Sequence, residues 1–245
     1  MKIRGLLILL TLVLCFGSVS WAGDLILMTE IFPPYQYKDD VDNKLIGITT
    51  EVVEAIQKKV GDTSKVKVYP WTRGLKILET KKNSALFSML RTDEREELYK
   101  WVGPIAKMEM VFFKKKGSPI ELASTDDARK VGKIGVTKGV GNHGVLVAQG
   151  FTNLDVISSG IDEKNIKKLV KGRIDLWPSL VGPGLYNAKR MGFDGEIVPV
   201  GVPLFKGDFY IAFNKQTDDA IINQWQKALD ELIADGTVDA IKNRY

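Results

Sequence analysis

Short apolar runs alternate with amphipathic segments along the first hundred residues. The apolar runs predict strands, at Asp24–Thr29, Val66–Tyr69 and Ala85–Leu90. Between the first two strands, apolar residues recur at helical spacing and predict a helix over Gly47–Val60, and a second helix is expected from Leu75 to Thr80. The segments Glu30–Tyr37 and Pro70–Arg73 contain prolines and are predicted to be loops. This alternation indicates an α/β unit with a mostly parallel sheet.

The same pattern restarts after residue 108. Extended segments are predicted at Met108–Lys114 and Phe209–Phe213, and a well-patterned helix over Ala220–Ala234 ends before Gly236. Between them lie further predicted strands and helices, at Lys133–Thr137, His143–Gln149, Asp155–Ile157, Ile161–Gly172 and Ile174–Trp177. Two α/β units in 245 residues predict two lobes that face one another across a cleft, a usual place for a small-molecule site.

The N-terminus has the layout of a secretory signal. Lys2 and Arg4 precede an apolar run from Leu6 to Phe16, and small residues follow at Ser20 and Ala22. The run is shorter than the roughly 20 residues that span a bilayer, so a signal peptide over residues 1–22 is expected rather than an anchor. Its removal takes away Cys15, the only cysteine, and lowers the net charge from +5 to +3. Neither disulfide chemistry nor a nucleic-acid footprint is then expected.

Several polar and aromatic residues follow the first-lobe strands. Arg95 comes after a strand end, and a guanidinium presents a fork of donors that matches a carboxylate. Tyr35 and Trp71 are aromatic residues in predicted loops that suit the walls of a ligand cleft, and Arg73 lies close enough in sequence to reach the same cleft. For each of them, ordinary packing or surface pairing is the alternative.

The stretch Gly139–Gly144 formally reads GxGxxG after a strand. It begins deep inside the chain, and the pattern alone is a weak signal, so no dinucleotide site is predicted. Free backbone N–H groups at a helix start can instead attract an anion. The single histidine, His143, has no partner histidine or cysteine for a metal site, and no GxSxG nucleophile motif is present. No cofactor and no metal are expected.

Five motifs occur in an order typical of one family: Phe32–Tyr37, Leu45–Ile48, Thr92–Arg95, Gly172–Asp175 and Asp235–Thr237 with Ile241 and Tyr245. Through them the chain resembles the bacterial extracellular solute-binding proteins of the polar amino acid class (family 3, glutamine-binding-protein-like). The resemblance covers Gly23 to Tyr245. It implies a two-lobed α/β periplasmic-binding-protein fold (Venus-flytrap, type II) with a hinge of two crossovers, near Pro104–Met110 and Val202–Tyr210. Lobe 1 would comprise residues 23–106 and 211–245, and lobe 2 residues 107–210.

The resemblance also implies roles for particular residues. Arg95 would hold a ligand carboxylate, Tyr35 and Trp71 would flank the ligand, and Ser88 would contact its polar groups. Gly139 and Gly141 would close over the carboxylate from the second lobe. Leu90 stands where the family has a hydroxyl residue, so that contact is lost.

The second lobe departs from the family at Trp177–Leu180. Amino-acid binders of the family carry an aspartate here that pairs with the ligand ammonium, whereas this chain has Ser179 and Leu180. A buried ammonium without a carboxylate is costly. Either Glu30 supplies the negative charge, or the ligand is not an ordinary α-amino acid. Trp177 is a further candidate, as a filler of the space.

The leading hypothesis is therefore a monomeric periplasmic receptor without catalysis. It would capture an amino acid or related carboxylate and deliver it to an inner-membrane ABC permease. One alternative is an enzyme on the same fold that resembles cyclohexadienyl dehydratases and needs a cleft acid, for which Glu30 is the obvious candidate. Another is a sensory module that reports the ligand to a separate receptor.

Overall fold

The first lobe begins with strands and helices in close alternation. The computed structural model describes residues 25–138, 141–158 and 163–245, so the predicted signal peptide and Gly139 lie outside the described residues. The elements up to the first crossover are β1 (Ile26–Thr29), β2 (Tyr37–Lys38), β3 (Leu45–Ile46), α1 (Ile48–Val60), β4 (Lys67–Val68), α2 (Trp71–Thr80), β5 (Ser84–Leu90) and α3 (Asp93–Glu96).

The long strand β6 (Tyr99–Lys115) then carries the chain into the second lobe. That lobe contains a 3-10 helix (Thr125–Lys130), β7 (Ile134–Thr137), α4 (Gly141–Ala148), β8 (Leu154–Ile157), α5 (Glu163–Val170), β9 (Trp177–Leu180) and α6 (Val181–Arg190). The equally long β10 (Ile197–Asn214) returns to the first lobe, where α7 (Asp219–Ala234) and α8 (Thr237–Lys242) complete the fold.

One six-stranded sheet, in the order β4-β1-β5-β10-β6-β9, links the two lobes. β1 pairs in parallel with β4 and β5, and the antiparallel pair β6–β10 extends from one lobe into the other. The β6–β10 register shifts between Val200 and Phe205 and again between Phe209 and Ile211. These irregularities interrupt the ladder at the crossovers, where the hinge was expected. Hinge motion and the lobe boundaries themselves stay predictions.

Each lobe is packed on both faces of its strands. Leu86 and Phe87 are consecutive on β5, and they belong to separate apolar clusters of the first lobe. Phe112 and Phe113 on β6 divide in the same way between two second-lobe clusters. Consecutive side chains of a strand point to opposite faces, so helices on each side find an apolar surface.

Most predicted elements are confirmed within a few residues, including the helix now called α7 and the left-handed Gly236 after it, which has φ 80°. The loop prediction for Pro70–Arg73 is wrong, since Pro70 is the N-cap of α2 and Trp71 its first residue. Proline suits the start of a helix because its missing N–H would be unpaired there anyway.

The last second-lobe strand was also misplaced. The prediction was Ile174–Trp177, whereas β9 covers Trp177–Leu180 and pairs with β6. β9 is an edge strand of the six-stranded sheet, which is where a sheet tolerates a residue such as Pro178 that lacks an N–H donor. The helix α6 after it was not predicted at all.

Candidate ligand-binding site

Three parallel strands of the first lobe, β4, β1 and β5, end at one edge of the sheet. Arg95, in α3 just past this edge, is half-buried. Its Nη1 donates to the carbonyl oxygen of Leu90 at 3.2 Å, and its guanidinium carbon lies 5.9 Å from the ring centroid of Trp71. Among the residues that the structure describes, no carboxylate lies within ion-pair distance of Arg95. The edge therefore presents an oriented guanidinium without a direct ion pair, although it interacts with the charge of the neighbouring Glu94 and helps to lower the pKa of that carboxyl.

The neighbouring arginines differ from Arg95. Arg91 is exposed and forms a two-pronged ion pair with Glu96, with contacts of 2.6 and 2.5 Å. That pair is the main reason the pKa of Arg91 is raised. Arg73, which is also exposed, places its guanidinium carbon 4.4 Å from the ring centroid of Tyr69. The structure thus brings Arg95 and Trp71 together but holds Arg73 against Tyr69.

Glu30 follows directly after β1 and is half-buried. Burial raises the pKa of its carboxyl above the usual value. No Lys or Arg pairs with it among the described side chains. The same strand edge therefore carries a carboxylate that is partly desolvated and has no cation of its own.

Tyr35 lies deeper than a cleft wall would. Only 4% of its surface is exposed, and its hydroxyl donates to the carbonyl oxygen of Lys107 on β6 at 3.1 Å. Burial, with a smaller effect of the Glu109 charge, raises its pKa to about 12. Phe32 stacks on Tyr35 with ring centroids 5.6 Å apart and is only half-buried. In this arrangement Tyr35 packs against the crossover, and Phe32, which was not predicted from the sequence as a candidate, is the more accessible ring.

Ser88 is the unpaired residue of a β-bulge in β5, where that strand pairs with β10. Its φ of 64° lies in the left-handed region. Its hydroxyl lies 2.9 Å from Gln36 Oε1 and 2.9 Å from Thr49 Oγ1. Thr49 in turn is 2.8 Å from the same Gln36 oxygen. The side chain of Ser88 is therefore engaged in a buried polar cluster, and Gln36 and Thr49 are partners that the sequence did not reveal.

Two of the second-lobe candidates, Trp177 and Ser179, are buried. Gly141 is the first residue of α4. Ser179 is buried, and its backbone pairs with Val111. Trp177 is 0% exposed, and its ring lies 5.6 Å from that of Phe113 in the lobe's core. A fully buried ring cannot fill cleft space in this arrangement.

Two further second-lobe residues follow from the structure rather than from the sequence. Asn142 is buried in the first turn of α4, and its Nδ2 donates to the carbonyl oxygen of Pro178 at 2.7 Å, which ties that helix to β9. Leu180 packs against the first-lobe core together with Phe32 and Leu90. Both lobes thus contribute to one apolar surface. Asp175 accepts from the Lys133 N–H at 2.7 Å, which is a structural role.

The two lobes, the six-stranded sheet that links them and the paired crossovers β6 and β10 define a two-lobed periplasmic-binding-protein fold. A solved structure, the second substrate-binding domain of GlnP from Lactococcus lactis in its open conformation, matches with a TM-score of 0.76 and 19% identity, covering 94% of this chain and 98% of that one.

The chain belongs to the bacterial extracellular solute-binding proteins, family 3, whose family model matches residues 25–245. A probable amino-acid-binding protein, YxeM of Bacillus subtilis, is 27% identical over 223 residues, which cover 86% of this chain and 79% of the relative. A probable histidine-binding protein of Neisseria gonorrhoeae is 24% identical, with 87% of this chain and 79% of that protein covered.

Two structural features of the described residues bear on other functions. None of the helices there has the length and apolar character needed to cross a bilayer. The described His, Cys, Asp and Glu side chains form no group of three or more that could hold a metal ion.

Proposed function

We propose that this protein captures a small solute with a carboxylate group, an amino acid or a related carboxylate, and performs no chemistry on it. The observation that carries the proposal is the state of Arg95. It is half-buried, oriented by the Leu90 carbonyl and the Trp71 ring, and without an ion-pair partner among the described residues. A guanidinium of this kind favours a carboxylate, which it can bind through two parallel hydrogen bonds.

Glu30 is the acid available to a positive group of the same solute. Its raised pKa reports the cost of a partly buried negative charge without a cation, and a ligand ammonium would relieve that cost. The second-lobe candidates Trp177 and Ser179 are neutral, and Leu180 is apolar. A solute without an ammonium would instead leave Glu30 unpaired, so the two solute classes differ in their dependence on Glu30.

The proposed setting is the periplasm. The family is described as extracellular, and residues 1–22 have the composition of a secretory signal. The proposed partner is an inner-membrane ABC permease that receives the solute from the closed lobes. The name of a structural neighbour, an extracellular-binding protein of a probable amino-acid ABC transporter from Bacillus subtilis, supports this partner.

A thermal-shift screen of the chain from Gly23 onward tests the proposal. The panel contains arginine, glutamine, histidine and cystine, each with its counterpart that lacks the α-amino group. A solute at 100 times its Kd stabilises the folded protein by about 2.7 kcal/mol, which corresponds to a rise in Tm of roughly 5–10 °C for a chain of this size. If neither series nor other small carboxylates raise the Tm, the capture proposal is wrong.

A second candidate function rests on Glu30 alone. A carboxyl with a raised pKa at a cleft edge is the kind of group that acts as a general acid, and a dehydratase that resembles the cyclohexadienyl dehydratases would need one. Incubation of the purified protein with prephenate or arogenate decides between the two. Turnover that Glu30→Gln abolishes would replace the receptor proposal, and an absence of turnover would retain it.

A further inference from the structure

We infer that four residues outside the proposed binding edge, Tyr37 and Asp40 of the first lobe and Tyr186 and Arg190 of the second, form an interlobe latch that biases the ligand-free protein toward the arrangement of the lobes seen in the structure. Tyr37 lies on β2, and Asp40 lies in the turn between β2 and β3. Tyr186 and Arg190 lie on α6. Only the consequence of the latch for solute affinity rests on the proposed function.

The latch is a set of direct contacts between the lobes. The ring centroids of Tyr37 and Tyr186 are 5.1 Å apart with an interplanar angle of 59°, within the usual range for an aromatic pair. The guanidinium carbon of Arg190 lies 5.8 Å from the Tyr186 centroid, and its Nη2 is 3.7 Å from Asp40 Oδ2. Arg190 therefore covers one side of the aromatic pair while facing a carboxylate of the other lobe.

The first-lobe half of the latch is anchored by the C-terminus. The ring of Tyr245 meets that of Tyr37 edge to face, with centroids 6.4 Å apart. The Tyr245 hydroxyl accepts from the Gly47 N–H at 3.0 Å and donates to Glu51, which also pairs with Arg244. Because α1 starts at Ile48, this anchoring connects Tyr37 to a rigid element and holds its ring in place.

The start of α6 also approaches the first lobe closely. A Cβ atom added at Gly182 would lie 3.2 Å from Pro34 Cδ and 3.3 Å from the Tyr35 hydroxyl. The glycine therefore permits a contact that larger residues would strain. α6 thus contacts the first lobe at its first turn through Gly182 and at its later turns through Tyr186 and Arg190, which gives the latch two separated points of support.

The aromatic pair carries most of the effect. Asp40 and Arg190 have side chains that are 82% and 58% exposed, and exposed ion pairs contribute little. An aromatic pair is worth enough to change the ratio of this arrangement to the others by roughly two- to tenfold. Where the binding-competent arrangement is a minority, the apparent Kd changes by up to the same factor. Tyr186 and Arg190 are therefore positioning residues, which act through the relative arrangement of the lobes.

Single-molecule FRET on the ligand-free protein tests the latch. A chain that begins at Gly23 has no native cysteine, because Cys15 is the only one. Dyes can thus be placed at Lys76→Cys on α2 and Lys167→Cys on α5, both of which are exposed. We expect Tyr186→Ala to move roughly two- to tenfold more molecules into a population at a different distance, and Tyr186→Phe, which keeps the ring, to restore the original distribution.

Three further variants guard against misfolding and serve as controls. Asp40→Lys places a cation opposite Arg190 in an exposed turn, where it cannot disturb the core, and should shift the distribution in the same direction as Tyr186→Ala. Asp42→Lys makes the same charge change in the same turn and should leave the distribution unchanged, as should Leu185→Ala on α6. Unaltered distances for both Tyr186→Ala and Asp40→Lys would overturn the latch. Since no solute is used, this failure is separate from a failure of the capture proposal.

Discussion

Replacement of Arg95 by alanine separates the proposed binding role from a structural one. In the ligand-free protein the guanidinium makes one hydrogen bond, to the Leu90 carbonyl at 3.2 Å, and lies 5.9 Å from the Trp71 ring. The side chain is half-buried, and its loss leaves no buried charge unpaired among the described residues. Its removal should therefore change the free energy of unfolding by less than about 1 kcal/mol.

The expected loss of affinity is larger than the loss of stability. Truncation of one partner of a hydrogen-bonded charge pair costs 2 kcal/mol or more, and the half-exposed position of Arg95 favours the low end of that range. A loss of about 2–3 kcal/mol corresponds to a roughly 30- to 150-fold rise in Kd. Arg95→Lys keeps the charge but not the fork, so its Kd should lie between those of wild type and Arg95→Ala.

Isothermal titration calorimetry with the solute that gives the largest thermal shift measures these Kd values. Arg91→Ala is the matched control, because Arg91 lies four residues away but is already neutralised by Glu96 at 2.5 Å. Its Kd should stay within about threefold of wild type, since an exposed pair is worth little. If Arg95→Ala binds as tightly as wild type, or if Arg91→Ala is equally weakened, the assignment of Arg95 as the carboxylate anchor is refuted.

Two other predictions concern polar groups that are buried or partly buried without a partner among the described residues. Burial raises the pKa of Glu30, so the folded state favours the protonated carboxyl and loses stability as the pH rises. Glu30→Gln should therefore raise the free energy of unfolding, measured by urea titration, at about pH 7 but not at about pH 4. An equal gain at both pH values would contradict this. Trp177 Nε1 is buried without a hydrogen-bond partner among the described residues. Trp177→Phe should therefore change the free energy of unfolding by no more than about 1 kcal/mol and leave the solute Kd unchanged. A large rise in Kd would show that Trp177 does belong to the binding site.

The fold was largely predictable because the spacing of apolar residues within one helix or strand reports the type of that element. Val52, Val53 and Ile56 are all buried on α1, as their spacing indicates. The helix α6 was missed because Gly182, Pro183 and Gly184 occupy its first turn, and such residues usually mark loops. Only tertiary contacts, with Pro34 at Gly182 and with Phe113 at Gly184, account for those small residues.

The crossovers show a similar limit. β6 contains Gly103 and Pro104, which read as a strand end, yet the strand continues because its partner β10 is equally long. Strand pairing between residues about 100 positions apart in sequence leaves no local signal. The sequence therefore predicted a crossover near Pro104–Met110 but not that a single pair of strands would join both lobes.

The candidate site was predictable by residue type but not by accessibility. Arg91 and Arg95 both follow β5, so their spacing alone does not show which of them is free to bind a carboxylate. That depends on which arginine pairs with Glu96, and the structure shows that it is Arg91. Tyr35 and Trp177 were chosen as cleft aromatics, but both lie in packed interiors. An aromatic residue at a strand end suits a core and a ligand wall equally well, and only burial distinguishes the two.

The distribution of charge between the lobes constrains how capture would proceed. Glu30, Arg73 and Arg95 belong to the first lobe, whereas the described second-lobe candidates Trp177 and Ser179 are neutral. A charged solute would therefore gain its side-chain ion pairs from the first lobe alone, before the lobes close, whereas the second lobe would add only neutral groups such as the backbone N–H groups at the start of α4. Closure then has to be favoured by neutral contacts, because ligands shift a conformational equilibrium only through contacts that differ between its states. A contact made between the lobes themselves, such as that of Tyr37 with Tyr186, biases the same equilibrium without any contribution from the solute.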